Sequence, residues 1–187
     1  MKSSQADVLD EFHRAAHQSG AAGLELLDAR RVRRSIRVGR YRFKNGLTVV
    51  AMLDPRAPVF SYQTWMRVGS KHESPERTGL AHLLEHLMFK ATHRHASGTL
   101  DRELELRGAD TNAATWVDWT YYHETLAARG DNLERVAELE SDRLRNLVLT
   151  RETFEPELEV VMNERTMTVE DSALGGLNES IYLTAFT

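Results

Sequence analysis

The sequence predicts an α+β domain, a two-layer sandwich in which a largely antiparallel sheet carries helices on one face. Three observations support this class. Strand patterns with hairpin signals fill residues 41–68, helical patterns begin near residue 79, and two more strands are predicted between helices in residues 109–128. With 187 residues, of which 41% are hydrophobic, the chain is long enough to bury one core of ordinary size.

Residues 1–38 precede the predicted domain, which we expect to occupy residues 39–187. The extension is expected to be partly helical or mobile. A short amphipathic helix is suggested by the spacing of Val8, Leu9, Phe12 and Ala16, and the leucines of residues 24–27 suggest the start of another. For the basic run from Arg30 to Arg34, an exposed lead-in is favoured over a membrane-surface or targeting feature.

The first strands are predicted in residues 41–68. Residues 41–44 alternate in polarity, Asn45-Gly46 is a strong hairpin turn signal, and residues 47–53 return as an apolar strand that we expect to be buried. A turn at Asp54-Pro55 then leads into a third strand over residues 59–68.

Residues 79–89 carry the strongest functional signal. At 100° per residue, one helix face collects the apolar side chains Leu80, Leu83, Leu84, Leu87 and Met88. His82, Glu85 and His86 fall on the opposite face, and the two histidines are one turn apart, close enough to hold a single ion. The pattern His-x-x-Glu-His reverses the more common zinc hydrolase order His-Glu-x-x-His. The alternative is a polar helix face that carries two histidines by chance.

This motif predicts zinc chemistry. Two neutral imidazoles and one further carboxylate leave a tetrahedral zinc ion with one position for water, whose pKa the metal lowers, and Glu85 is placed to take the proton. The chain has no cysteine, so His and carboxylate side chains are the available ligands. A net charge of −4 gives no basic field for nucleic acid, and no apolar run reaches transmembrane length.

The remaining elements alternate between helices and strands. The predicted elements are a helix over residues 99–107, strands over 109–117 and 119–128, a helix from Gly130-Asp131 through Leu147, and a last helix from residues 150–153 past Glu164. On the last helix, Glu157 and Glu164 are seven residues apart, so both side chains lie on nearly the same side of the helix. One could bind zinc while the other accepts the free ring N–H of a ligand histidine, although spacing alone favours ordinary surface glutamates.

Three separated blocks, His82–His86, Asn112–Glu124 and Glu159–Arg165, together resemble the amino-terminal half of the pitrilysin, insulinase and mitochondrial processing peptidase family, and most closely its compact bacterial members. The resemblance covers residue 38 to the end of the chain. It implies a zinc metalloendopeptidase domain with zinc bound by His82, His86 and Glu164. It also implies that Glu85 is the general base and that Glu157 is the carboxylate behind the zinc ligands.

The resemblance further implies that residues 112–115 form the sheet edge to which a peptide substrate adds as an extra strand. The predicted substrate contacts are Asn112, Ala113, Ala114, Thr115 and Tyr122. Small side chains there would allow another strand to lie close, although an ordinary edge strand fits the same residues. Tyr121 and Tyr122 alternate, so one is predicted in the core and the other facing the cleft.

Four other histidines are given no metal role. His123 is predicted to be structural and to point with Tyr121. His72, His93 and His95 flank the metal helix in polar loops, where we expect them to be solvated.

Family members comprise two or four homologous domains, so the resemblance implies that residues 39–187 are an incomplete domain of a longer protein. We expect a second domain or subunit to close the chamber around the peptide, and the isolated chain to be weakly active and prone to self-association. If Met1 is the native start, a cytoplasmic protein is expected; a removed signal would place it in the periplasm.

Two other function classes remain open. A non-catalytic homologous subunit or scaffold would share the fold, but such relatives tend to lose the metal residues. A zinc-binding interaction module would keep the histidines but would not need Glu85.

Overall fold

The structure is a computed structural model that describes Arg14, residues 23–33 and residues 35–186. The chain divides into two compact units, Met1–Pro58 and Val59–Thr187. The expected boundary after residue 38 lies inside a strand of the first unit. The helix suggested around residues 8–16 lies outside the described residues, apart from Arg14. None of the described helices has the length and apolar character required to cross a membrane.

The described part of the first unit is an antiparallel sheet of three strands in the order β1–β2–β3. The strands are β1 (Leu24–Arg31), β2 (Arg37–Phe43) and β3 (Thr48–Leu53). The predicted hairpin turn at Asn45-Gly46 is confirmed. Gly46 has a φ of +90°, which favours glycine, and its N–H donates to the Phe43 carbonyl at 2.9 Å.

Two expectations for this unit were wrong. Residues 24–27 form the start of β1 rather than a helix, because they pair with β2 and because Leu24 and Leu26 pack against a small core of Ala29 and Tyr41. β3 was expected to be buried, yet Val50 and Met52 are 62% and 64% exposed. Among the described strands of this unit, β3 pairs with β2 alone, and no described helix of the unit covers it.

The second unit contains the other strands and the helices. Its strands are β4 (Val59–Met66), β5 (Asp110–Thr115) and β6 (Thr120–Ala127). Its helices are α1 (Leu80–Leu87), α2 (Thr99–Leu106), α3 (Asn132–Asn146), α4 (Arg151–Arg165) and α5 (Ala173–Ala185). A π-helical turn over Thr166–Glu170 separates α4 from α5, which was not predicted as a separate helix. The α+β class is confirmed, with the described strands in two antiparallel sheets.

The helices pack on one face of the β4–β6–β5 sheet, as predicted. Alternate residues of β6, from Thr120 to Leu126, are buried and face the helices. The core here consists of Leu100, Leu104, Leu126, Val136 and Leu139. On the opposite face, Tyr121 stacks on Trp65 and on His123, with ring centroids 4.7 and 5.7 Å apart. His123 therefore points with Tyr121, as expected.

A buried charge cluster joins α3 to this sheet. The guanidinium Nη2 of Arg143 donates to Glu124 at 3.2 Å and to Glu140 at 2.6 Å, and all three residues are buried. Burial, followed by the charge of Glu140, raises the pKa of Glu124 to about 8. Since one cation faces two carboxylates, the fold favours the protonated form of the Glu124 carboxyl.

This cluster predicts a pH-dependent stability. The pKa of Glu124 is higher in the folded protein than its ordinary value of 4.5. The contribution of Glu124 to the free energy of unfolding is therefore fully present below pH 4.5 and is lost as the pH rises to about 8. Glu124→Gln cannot titrate, so urea unfolding between about pH 5 and about pH 8 should show a smaller fall in the free energy of unfolding than in the parent chain. The control is Glu134→Gln at an exposed position of α3. Equal slopes for Glu124→Gln and the parent chain would contradict the prediction.

Candidate metal centre

Helix α1 begins without a capping side chain of its own. Gly79 occupies the N-cap position with a φ of +90°, and the first turn receives its cap from Glu73 instead. The Glu73 carboxylate accepts hydrogen bonds from the N–H groups of Gly79 and Ala81 at 2.7 and 2.6 Å. This distant cap fixes the turn that carries His82.

The packing of α1 differs from the single apolar face predicted from periodicity. Leu83, Leu87 and Met88 are buried as expected. Leu80 and Leu84 are 47% and 46% exposed, which corrects their predicted place in the core. The physical reason is that α1 contacts β5 and β6 and also α4, so its buried surface is split between two sets of neighbours.

The three predicted metal ligands converge. The Nε2 atoms of His82 and His86 are 3.2 Å apart. From the neighbouring helix α4, Oε2 of Glu164 lies 3.8 Å from His82 Nε2 and 3.5 Å from His86 Nε2. One ligand atom from each residue falls within 4.8 Å of the others, and the Glu164 side chain is 45% exposed. A cavity of about 200 Å³ borders this cluster and is lined by Gly79, His82, Val161, Glu164, Arg165, Thr168 and Val169.

The contacts of the His86 ring nitrogens suit a cation in this cluster. Its Nδ1 lies 3.1 Å from Oε1 of the buried Glu157, and Lys90 also forms a salt bridge with this carboxylate. Because a carboxylate accepts, the His86 proton belongs on Nδ1, which leaves the Nε2 lone pair directed at His82 and Glu164. Two imidazole nitrogens and a carboxylate oxygen form a donor set that fits Zn²⁺.

Glu157 stays ionised behind these ligands. Burial acts to raise the pKa of its carboxyl, but the hydrogen bonds from Lys90 and His86 outweigh burial, so the pKa is lowered. Glu157 is thus the glutamate that contacts a ligand histidine, and Glu164 is the one beside both Nε2 atoms.

Glu85 precedes His86 on α1, and its carboxylate is directed toward the sheet. It is 8% exposed, and its Oε2 accepts a hydrogen bond of 2.5 Å from the Thr115 hydroxyl on β5. Thr115 was predicted to contact substrate, whereas its side chain contacts Glu85. Sequence reasoning missed this pair because the two residues are far apart in the chain and no spacing rule connects them.

The predicted substrate strand is an edge of its sheet. β5 pairs with β6 on one side, and no other described strand pairs with it. Asn112 is exposed, and its Oδ1 accepts a hydrogen bond from the Ala113 N–H at 2.9 Å, while Ala113 and Ala114 are partly buried. Tyr122 is only 3% exposed and packs beneath the Arg143 guanidinium, so its position argues against the predicted contact with substrate.

One of the remaining histidines departs from expectation. His95 was expected to be solvated, but its Nδ1 lies 3.0 Å from the buried carboxylate of Asp142. Burial acts to raise the pKa of Asp142, and the hydrogen bonds from Thr92, Asn146 and His95 together lower it to about 2. This contact holds the loop that follows α1 against helix α3. His72 and His93 are exposed, as expected.

The domain is α+β, one helix carries His-x-x-Glu-His, and a neighbouring helix supplies the third candidate ligand, which is a carboxylate. This is the arrangement of a metallopeptidase-like domain. The sequence profile of the insulinase family (peptidase family M16) matches residues 48–185. The chain belongs to this family, which confirms the resemblance found in the sequence.

Similar proteins agree with this membership. The chain is 35% identical over 145 residues to the zinc protease PqqE of Helicobacter pylori, a match that covers 76% of this chain and 32% of that protein. It is 32% identical over 120 residues to the mitochondrial cytochrome b-c1 complex subunit 1 of Rattus norvegicus, covering 64% of this chain and 24% of the relative. A crystal structure of a protease from Helicobacter pylori matches with a TM-score of 0.71 and 33% identity, covering 75% of this chain and 33% of that one. The chain therefore spans about a third or less of the length of these relatives.

Proposed function

We propose that this chain is the metal-binding domain of a zinc endopeptidase that cleaves extended or unstructured peptides. The observation that carries the proposal is the convergence of the His82, His86 and Glu164 ligand atoms, with the buried carboxylate of Glu85 one residue before His86 on the same helix. A metal site that served structure alone would need no such carboxylate and would favour four protein ligands.

Each side chain has a distinct part in the proposed reaction. Zinc bound by the three ligands would supply a Lewis acid and lower the pKa of a coordinated water. Glu85 provides the carboxylate that takes a proton from the attacking water and returns it to the nitrogen of the leaving amine. Glu157, held by Lys90, keeps His86 in the tautomer whose Nε2 can bind metal.

The peptide is proposed to add to the free edge of β5. Main-chain hydrogen bonds would hold it in an extended form, and the small side chains of Ala113 and Ala114 allow close approach. Asn112, exposed at this edge, can contact the peptide backbone through its amide.

The activity is proposed to belong to a larger assembly. Because the chain spans about a third of its relatives, we propose that a homologous second domain or subunit closes a chamber over the metal centre. Orientation of the peptide and exclusion of water account for much of the lowering of a reaction barrier, and an open site would lose both.

A non-catalytic subunit is the second candidate. It is favoured by the similarity to a protein named as a subunit of the cytochrome b-c1 complex. The test is cleavage of an unstructured peptide by the complete protein, with its partner subunit where one exists, before and after treatment with a chelator. Cleavage that stops with chelator and returns with zinc supports the peptidase, and its absence from zinc-loaded protein supports the non-catalytic subunit.

Residues 1–187 alone are predicted to bind zinc but to show little or no peptidase activity. The free edges of the sheets and exposed apolar side chains such as Leu183 and Phe186 should favour self-association. The measurements are zinc content, mass in solution and cleavage of an unstructured peptide, with the complete protein as the control. A fully active monomer of residues 1–187 would contradict this prediction.

A further inference from the structure

We propose that Thr115 is a positioning residue for the reaction, because its hydroxyl holds the carboxylate of Glu85 in a fixed orientation through a hydrogen bond. The inference deepens the proposed peptidase function and rests on it. It replaces the role predicted for Thr115 from the sequence, which was contact with the peptide.

The first observation is the hydrogen bond itself. Thr115 Oγ1 lies 2.5 Å from Oε2 of Glu85, and Glu85 is buried against the sheet. Only Oε2 of Glu85 is hydrogen-bonded among the described residues, so Oε1 is the oxygen that can meet the attacking water. A buried carboxylate held at one oxygen cannot rotate freely, and a general base needs a fixed position within hydrogen-bonding distance of its proton.

The second observation is a chain of hydroxyls behind Thr115. The Thr120 hydroxyl donates to the Val68 carbonyl at 2.9 Å, so its proton is committed, and its oxygen lies 3.3 Å from Thr115 Oγ1. Thr115 can therefore donate to Glu85 while Glu85 is a carboxylate. Because the Thr120 hydrogen is directed at the Val68 carbonyl, the Thr115 hydrogen is left for Oε2 of Glu85.

The third observation concerns where Thr115 lies. It is the last residue of β5 and is paired directly with Thr120 across the β5–β6 hairpin. The backbone edge of β5 is the proposed docking strand for the peptide. One short strand therefore positions both the peptide and the base, so the distance between them is fixed by backbone geometry rather than by long side chains.

The contact can be tested without any assay of activity, in residues 1–187 free of metal. A double-mutant cycle compares the urea unfolding of Thr115→Val, Glu85→Ala and the double variant with the parent chain. We expect coupling of about 10- to 100-fold in the unfolding equilibrium constant, the usual strength of a hydrogen bond to a charged group. The matched control is Thr111→Val, on the same strand and face, which should be additive with Glu85→Ala. Additive effects for Thr115→Val would overturn the proposal.

The catalytic consequence is tested in the complete protein. Thr115→Val should lower kcat by about 10- to 100-fold with KM within about twofold, and Thr115→Ser should restore kcat. The control Thr125→Val, on β6, where the hydroxyl contacts Ser61, should leave both unchanged. An unchanged kcat, or a rise in KM alone, would overturn the proposal, and the latter would return Thr115 to contact with substrate. If the parent protein shows no chelator-sensitive cleavage, the peptidase proposal fails, whereas the unfolding cycle still decides whether Thr115 holds Glu85.

Discussion

Replacing Glu85 with glutamine is expected to leave zinc bound while turnover falls by about two to four orders of magnitude. Glutamine keeps the size of the side chain and can still accept the hydrogen bond from Thr115, but it cannot take a proton from water. Because Glu85 is not among the three converging ligands, metal content should be unaffected. The loss should therefore fall on kcat rather than on zinc stoichiometry or on the fold.

The measurement is steady-state cleavage of an unstructured peptide by the complete protein, with zinc content determined on the same sample. Glu105→Gln, at an exposed position of α2, is the matched control and should behave as the parent protein does. Near-normal turnover in Glu85→Gln would remove this carboxylate from the mechanism. Loss of zinc together with turnover would instead show that Glu85 supports the metal site itself.

Alanine at His82, His86 or Glu164 is expected to abolish stoichiometric zinc binding. Each residue supplies one of three ligand atoms, and two protein ligands are too few to hold the ion. Glu157→Ala should have a smaller effect, about 10- to 100-fold in affinity, because this carboxylate only orients His86. The graded result separates the two glutamates of α4 by function.

Zinc per chain after dialysis against a weak chelator, followed by competitive titration, measures both effects. His93→Ala provides the control, since His93 is an exposed histidine near the same helix. Full zinc in Glu164→Ala would exclude Glu164 as a ligand. A larger loss in Glu157→Ala than in Glu164→Ala would exchange the roles assigned to these two side chains.

The sequence by itself determined the features that depend on near neighbours in the chain. The i and i+4 spacing of His82 and His86 places both rings on one side of a helix wherever that helix packs. Asn45-Gly46 specifies a hairpin turn because glycine tolerates a positive φ, and Thr150 caps the start of α4 through its own side chain. The α+β class follows from such local patterns taken in order.

Other features required the arrangement of distant elements. Periodicity placed Leu80 and Leu84 in the core, but α1 is covered by the sheet and by α4, and both side chains remain exposed. The apolar sequence of β3 suggested burial, although a strand at a sheet edge is buried only if another element covers it. The alternation of Tyr121 and Tyr122 predicted opposite faces without deciding which face the helices would cover.

The candidate site shows the same division. The seven-residue spacing on α4 identified Glu157 and Glu164 as a pair, but it did not decide which of them would bind the metal. The family resemblance implied that Glu164 is the ligand. Only the packing of α1 against α4 sets Glu164 beside both Nε2 atoms and Glu157 against Nδ1 of His86. The hydrogen bond between Thr115 and Glu85 likewise exists because β5 lies under α1. Local sequence fixes the direction of a side chain relative to its own helix or strand, whereas the partner that it meets is fixed by contacts between elements distant in the chain.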